Sequence, residues 1–171
     1  AEPKTAFVPM TIGAKGLKEY HSLKAVNMVS TECGVNYRPH PSWKVNMVVS
    51  YNFGRDLLRQ NLPLIRPFSF RTGLAYTIKG LEMEVDVEGA TKQYAYSAVY
   101  AERPSPAYAV INFSAGYLVP IQQHSLYLKI GVENIADTYY STYSDWNKIP
   151  RKGRNFYVNL SFMFNNKKQS E

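Results

Sequence analysis

Alternation of apolar and polar side chains is the feature that most constrains the fold of this 171-residue chain. In residues 156–164, Phe, Val, Leu, Phe and Phe occupy every second position, and Tyr, Asn, Ser and Met fill the positions between them. Residues 126–133 repeat the pattern with Leu, Leu, Ile and Val. Because side chains alternate between the two faces of a β-strand, a repeat of two predicts strands with one apolar face. Such a face requires either a protein core or lipid against it.

The same alternation predicts five strands upstream, which makes seven in total. They cover about residues 29–37, 43–53, 68–79, 81–88 and 108–119. In the fourth strand, four acidic residues share one face, opposite Leu, Met, Val and Val. A charge at the middle of a bilayer costs roughly 2–4 kcal/mol for a base and less for an acid, so this acidic face is expected to be hydrated.

The connections between these strands alternate strictly in length. Residues 38–42, 79–80 and 120–123 form short connections, whereas residues 54–65, 91–107 and 136–153 form long ones. Transmembrane β-barrels have short periplasmic turns and long external loops. The pattern therefore predicts an all-β fold, namely an antiparallel transmembrane β-barrel segment of about seven or eight strands.

Closure of the barrel is left open by the sequence. Seven strands have two free edges, and unpaired backbone groups in lipid cost several kcal/mol each. Either residues 5–12 supply an eighth strand, although Pro9 interrupts this run, or strands from another polypeptide segment complete a larger barrel. The expected division is an extracellular loop or partial strand in residues 1–20, barrel strands in residues 21–164 and a periplasmic tail in residues 165–171.

Composition excludes several classes of protein. A mean hydropathy of −0.32 does not fit a bundle of membrane helices. The net charge of +7 is not accompanied by a basic helix or a repeated aromatic-basic motif, so no nucleic-acid partner is expected. Cys33 is the only cysteine and is interpreted as a small apolar filler. No spacing of Ser, His and acidic residues specifies a nucleophile with its base, so the chain is not expected to be an enzyme.

The histidines do not form a recognisable metal motif. His21, His40 and His124 are scattered along the chain without a repeated ligand spacing. We therefore expect neither a metal site nor a cofactor.

Four short motifs resemble the C-terminal part of the TonB-dependent outer-membrane receptors. Asn134-Ile-Ala-Asp137-Thr-Tyr-Tyr140 resembles the family's Asn-Leu-Phe-Asp-Lys-x-Tyr element, and Gly153-Arg-Asn-Phe156 resembles its Pro-Gly-Arg-x-Phe. Residues 102–108 are similar to a Thr-Pro-Gly-Tyr approach to a strand, and residues 62–67 to a proline-marked entry. The chain departs from the family at Lys152, where Pro is usual, and in the tail after residue 164.

This resemblance implies that the chain is the C-terminal part of a 22-stranded barrel in the outer membrane of a Gram-negative bacterium. It also implies active import of a scarce ligand, such as a siderophore or other metal chelate, haem or a cobalamin-like compound. The implied partners are the remaining N-terminal barrel strands, a plug domain, the TonB system acting through the plug, outer-membrane lipid and a surface lipoprotein.

Two other interpretations remain open. One is a self-contained eight-stranded outer-membrane barrel with a structural or adhesive role. The other is a soluble ligand-binding barrel whose apolar side chains point inward.

Aromatic and basic residues are concentrated in the predicted external loops. Rings can stack on flat ligands, and guanidinium groups can pair with anionic ones, although each residue could also be an ordinary loop or interface residue. The candidate ligand-binding residues are Arg55, Arg59, Tyr96, Tyr100, Arg103, Tyr139, Tyr140, Tyr143 and Trp146. A second set of charged side chains is expected to face the lumen of the barrel, where acidic and basic groups neutralise one another. These residues are Lys44, Arg71, Glu82, Glu84, Asp86, Glu88, Lys129 and Glu133.

Overall fold

The computed structural model describes residues 25–98, 102–145 and 148–164. Seven strands run through these residues: β1 (Val26–His40), β2 (Trp43–Asp56), β3 (Ser69–Ile78), β4 (Leu81–Ala90), β5 (Tyr108–Ile121), β6 (His124–Glu133) and β7 (Asn155–Met163). They form one sheet in the order of the sequence, and every neighbouring pair is antiparallel. The prediction of an all-β antiparallel fold is confirmed.

Tight turns join the strands at one end of the sheet. Lys79 and Gly80 both have positive φ, 45° and 84°, which suits the two-residue turns that match the twist of antiparallel strands. The first turn is shorter than predicted. After a register shift between Tyr37 and His40, His40 pairs with Trp43, so β1 continues through most of the segment predicted as a turn.

The apolar side chains of neighbouring strands meet on one face of the sheet. Ile130 is paired with Val158, and Leu128 with Leu160, so each apolar row continues across the strands. In the same way, Val132 of β6 is paired with Phe113 of β5, and Phe113 is paired with Val85 of β4. These side chains remain exposed: the exposed fraction is 66% for Leu160 and 71% for Val158. An apolar face this extensive and uncovered is typical of a surface that contacts something other than water.

Small residues and rings pack together on the opposite, polar face. A side chain at Gly116 would collide with the ring of Tyr127, and one at Gly131 would collide with the ring of Tyr157. Each ring therefore lies over a glycine of the neighbouring strand, because any larger residue at that position would collide with the ring. The Tyr127 hydroxyl donates a hydrogen bond to Glu82 Oε2 at 3.2 Å.

The sheet is open in the part of the chain that the structure describes. There β1 pairs only with β2, and β7 pairs only with β6. The eighth strand considered in residues 5–12 falls outside the described residues. Within residues 25–98, 102–145 and 148–164, no helix is long and apolar enough to cross a membrane.

Candidate ligand-binding loops

The three long connections lie at one end of the sheet, opposite the tight turns, because consecutive strands are antiparallel. We refer to residues 57–68 as the first loop, residues 91–107 as the second loop and residues 134–154 as the third loop. Most of the predicted ligand-binding residues belong to these loops, and Arg55 lies at the end of β2 just before the first loop. The loops therefore form the candidate site.

The polar face beneath the loops carries charges, and five of the eight predicted ones form ion pairs within the described residues. Glu84 Oε2 lies 3.4 Å from Lys129 Nζ, and Asp86 Oδ1 lies 3.6 Å from Arg71 Nε. Glu133 forms an ion pair with Lys152 of the third loop. These pairs support the interpretation that the charges of this face mainly balance one another in a hydrated environment.

The first loop folds back onto the end of β2. Leu62 N donates to Gly54 O at 3.1 Å, and Asp56 Oδ1 accepts a hydrogen bond from Gln60 N at 2.8 Å. Asn61 Nδ2 then donates to Tyr96 O in the second loop at 3.3 Å. The first loop is thus fixed both to its own strand and to its neighbour.

A buried amide organises the second loop. Gln93 is 1% exposed, and its Oε1 accepts hydrogen bonds from both the backbone N–H and the hydroxyl of Ser105. Gln93 N also donates to Ser105 O at 3.0 Å. On its other side, Gln93 Nε2 donates to Ile65 O of the first loop at 3.2 Å. A buried amide that is satisfied in this way holds the two ends of the loop in a single arrangement.

A carboxylate completes the junction between the first and second loops. Glu102 Oε1 accepts hydrogen bonds from Leu64 N and from Gln93 Nε2, both at 3.0 Å. Glu102 Oε2 accepts one from Ser97 N at 2.7 Å, and Glu102 N donates to Ser97 O at 3.1 Å. One side chain therefore links both loops.

The third loop starts at a buried asparagine. Asn134 is 2% exposed and has φ of 52°, a conformation that Asn adopts more readily than most residues. Its Oδ1 accepts from Thr138 N at 2.8 Å, and its Nδ2 donates to Thr138 O at 2.9 Å and to Lys152 O at 3.4 Å. The motif that begins with Asn134 thus closes the two ends of the loop onto each other.

A second cluster fixes the far part of the third loop. Asp145 receives hydrogen bonds from Thr142 N at 2.7 Å and from Arg151 Nε at 2.9 Å, and Arg151 N donates to Tyr140 O at 2.8 Å. Burial of the Asp145 carboxyl acts to raise its pKa, but the hydrogen bonds from Arg151 and Thr142 outweigh burial and lower the pKa below its usual value. The carboxylate is therefore ionised in the folded loop at neutral pH.

The third loop also approaches the second. Burial lowers the pKa of Lys148, whereas the negative charges of Glu102 and Asp145 act in the opposite direction. Lys148 Nζ donates to Thr142 O at 3.3 Å. The charge of Glu102 in the second loop thus acts on Lys148 of the third loop.

A small polar cavity of about 110 Å³ lies where the third loop meets the sheet. Glu88, Asn112, Glu133, Asn134, Tyr140 and Lys152 contribute to its lining. Tyr140 stacks on Tyr108 with ring centroids 4.7 Å apart, and burial, followed by the charge of Glu88, raises the pKa of Tyr140. Ligand pockets typically measure about 300–1,000 Å³, so this cavity has room for a few water molecules rather than for a chelate.

The predicted ligand-binding residues differ in how available they are. Arg59 and Arg103 are exposed, and Tyr139 is 84% exposed. Tyr96 and Tyr143 are half-buried. The ring of Tyr140 is occupied by its stacking on Tyr108, which favours a structural role for Tyr140.

Arg55 is exposed, but its guanidinium carbon lies 4.9 Å from the centre of the Phe53 ring. Tyr100 and Trp146 fall outside the described residues.

Glu102 and Gln93 are neither aromatic nor basic and so were not among the predicted site residues, and Tyr108 was assigned to the predicted strand at residues 108–119. A glutamate next to Arg103 in a proline-rich loop carries no sequence signal of its partners, which come from the first loop. Among the described residues, no group of three or more His, Cys, Asp and Glu side chains is placed to hold a metal ion.

Comparison with known proteins supports the fold. No family model matches the chain, and neither does any curated protein sequence. Among solved structures, the chain is similar to the copper transporter OprC, with a TM-score of 0.72 and 21% sequence identity. The similarity covers 81% of this chain but 24% of the OprC chain, so the matched segment spans about a quarter of that protein. At this identity the match establishes a shared fold.

Proposed function

We propose that this chain forms C-terminal strands of a TonB-dependent transporter in the outer membrane. The observation that carries the proposal is the sheet itself. One face is apolar and exposed across the seven described strands, the other is polar and charged, and the three long loops between these strands lie at one end. A lipid-facing barrel wall with external loops has this combination of properties.

The loop junctions add a second line of support. The Asn134 and Gly153 motifs, which resemble the family's sequence, are the residues that close the third loop. The fold shared with a copper transporter is consistent with a transporter as well. In this proposal, the remaining strands complete the barrel and a plug domain lies inside it.

The proposed ligand is a metal chelate, haem or a cobalamin-like compound. The exposed Arg59 and Arg103 can pair with anionic groups, and Tyr139 offers a ring for stacking. A surface of this kind suits a ligand that is larger than a bare ion and carries both flat and charged parts.

The first experiment tests the membrane assignment. The full-length protein should co-fractionate with outer-membrane lipopolysaccharide, resist extraction with alkaline carbonate and migrate faster on a gel when it is not boiled. Recovery in the soluble fraction would instead favour a water-soluble barrel.

The second experiment tests transport. Cells with and without the full-length protein would be given a radiolabelled ferric siderophore, haem, cobalamin and a copper chelate in separate assays. Uptake that requires the protein and stops when TonB is deleted or the proton gradient is collapsed would support the proposal. Surface adhesion without uptake of any of these probes would favour the small structural barrel.

A further inference from the structure

The carboxylate of Glu102 accepts hydrogen bonds from both the first and the second loop. Its two carboxylate oxygens together accept hydrogen bonds from the backbone of the first loop at Leu64, the backbone of the second loop at Ser97 and the buried side chain of Gln93. Hydrogen bonds to an ionised acceptor are stronger than those between neutral groups. This one side chain therefore connects three separate points of the two loops.

Glu102 is half-buried and its partner Leu64 is 44% exposed, but the second-loop residues of the junction are buried. Gln93, Ser97 and Ser105 are 1%, 3% and 2% exposed. Removal of the carboxylate would leave the Leu64 and Ser97 amides without this acceptor, and Gln93 Nε2 would keep only its hydrogen bond to Ile65 O. Buried donors without partners are costly, so we expect the two loops to separate or rearrange.

Candidate ligand-contact residues flank the points that Glu102 holds. Tyr96 precedes Ser97, and its carbonyl accepts the Asn61 hydrogen bond from the first loop. Arg103 follows Glu102 directly, and Arg59 lies in the loop that is held through Leu64. Glu102 therefore contributes to the relative placement of these three residues, together with the Asn61–Tyr96 and Gln93–Ile65 hydrogen bonds.

We infer that Glu102 is a positioning residue that joins the first and second loops into one rigid unit and sets the spacing between Arg59, Tyr96 and Arg103 for the ligand. The reference to a ligand rests on the proposed function, whereas the rigid junction does not. The third loop is held by its own carboxylate, Asp145, through Thr142 and Arg151. Asp145 therefore provides a matched control within the same protein.

The test measures the distance between the two loops. In the full-length protein with the exposed Cys33 changed to Ser, spin labels would be attached at Arg59→Cys and Arg103→Cys, and their separation recorded by double electron–electron resonance. We expect a narrow distribution with Glu102 present and a distribution at least twice as wide in Glu102→Ala. Glu102→Gln should fall between them, because its single amide oxygen can serve only one side of the junction.

The control variant should not broaden the distance distribution. Asp145→Ala should leave the distance distribution unchanged, since that carboxylate acts within the third loop. An unchanged width in folded Glu102→Ala, or equal broadening in Asp145→Ala, would overturn the inference. If Glu102→Ala fails to assemble, Glu102→Gln supplies the comparison, and an unchanged width there would count equally against it.

A transport readout separates positioning from stability. For whichever of the four uptake probes the wild type imports, Glu102→Ala without spin labels should raise the KM for uptake about tenfold and leave the maximum rate per assembled protein within a factor of two. A fall in the maximum rate alone would contradict a role in ligand placement. If the wild type imports none of the probes, the proposed function fails, while the distance measurement still decides whether Glu102 joins the loops.

Discussion

Asp137 and Arg154 lie 17 residues apart in sequence, yet Asp137 Oδ1 accepts a hydrogen bond from Arg154 N at 2.8 Å. Arg154 Nε also donates to Ile135 O at 2.9 Å. These bonds hold the exit of the third loop against its entry, directly before β7 begins. Two motifs that are separate in the sequence therefore form a single closure in the structure.

Removal of the Asp137 acceptor should loosen the third loop. Asp137→Gly is the most informative change, because it removes the carboxylate and relieves the positive φ of 53° at the same time. We expect residues 135–154 to be cleaved several times faster in limited proteolysis, consistent with a loss of about 1 kcal/mol from an exposed hydrogen bond. Asp137→Asn retains an acceptor oxygen and tolerates positive φ, so its cleavage rate should stay near that of the wild type. Equal rates for both variants would show that the bond does not hold the loop.

Substitution of Asn134 should destabilise the protein more than substitution of Asp137, because Asn134 is buried. Asn134→Asp keeps the size of the side chain but replaces the two N–H donors that face the carbonyl oxygens of Thr138 and Lys152. The change places a carboxylate against two carbonyls and should lower the free energy of unfolding by about 3 kcal/mol. The measurement is the urea midpoint of the full-length protein in lipid vesicles.

The exposed Asn159 offers a control for Asn134. Asn159 accepts a hydrogen bond from Ser161 Oγ through Oδ1, a bond that a carboxylate can also accept. Asn159→Asp should therefore shift the urea midpoint little. A similar shift in the two variants would point to a general effect of the added charge.

The cluster around Asp145 should respond to acid. The pKa of Asp145 is lower in the folded loop than in an unfolded chain, so the ionised carboxylate stabilises the fold above the unfolded pKa of about 3.9. Protonation should remove this contribution as the pH falls through the lowered folded pKa. A spin label at Ile149→Cys, in a Cys33→Ser background, should gain mobility in that range and show little change between pH 5 and pH 8. Asp145→Asn should remove the acid-induced change, and persistence of the change would assign it to another group.

The two faces of β7 should differ in their tolerance of charge. Leu160 lies on the apolar face and is 66% exposed in the sheet, whereas its neighbour Ser161 lies on the polar face. If the apolar face contacts lipid, Leu160→Asp should sharply reduce the amount of folded protein in the outer membrane, and Ser161→Asp should leave it nearly unchanged. The fraction that resists unfolding on an unboiled gel measures the outcome. Equal amounts of the two variants would contradict the membrane-facing assignment.

Local periodicity was enough to predict the strands, their antiparallel class and their two faces. The pattern at Leu128, Ile130, Val158 and Leu160 needs only the alternation of side chains, and the structure aligns these residues across β6 and β7 as expected. The tight turn at Lys79 and Gly80 could also be predicted from these two residues alone, since it depends on backbone conformations that Gly favours. The alternation and the turn depend on residues that are near in sequence, and the alignment across β6 and β7 follows once the two strands pair.

The organisation of the loops depended on tertiary structure. Nothing near Glu102 in the sequence indicates that its partners include Leu64 of the first loop, and nothing near Tyr140 indicates that its ring stacks on Tyr108. Hydrogen-bonding and aromatic side chains accept many alternative partners, so the partner is chosen only when the sheet brings distant loops together. The sequence by itself determined a two-faced sheet with long loops at one end, and the tertiary structure decided which loop residues are held in place and which remain exposed.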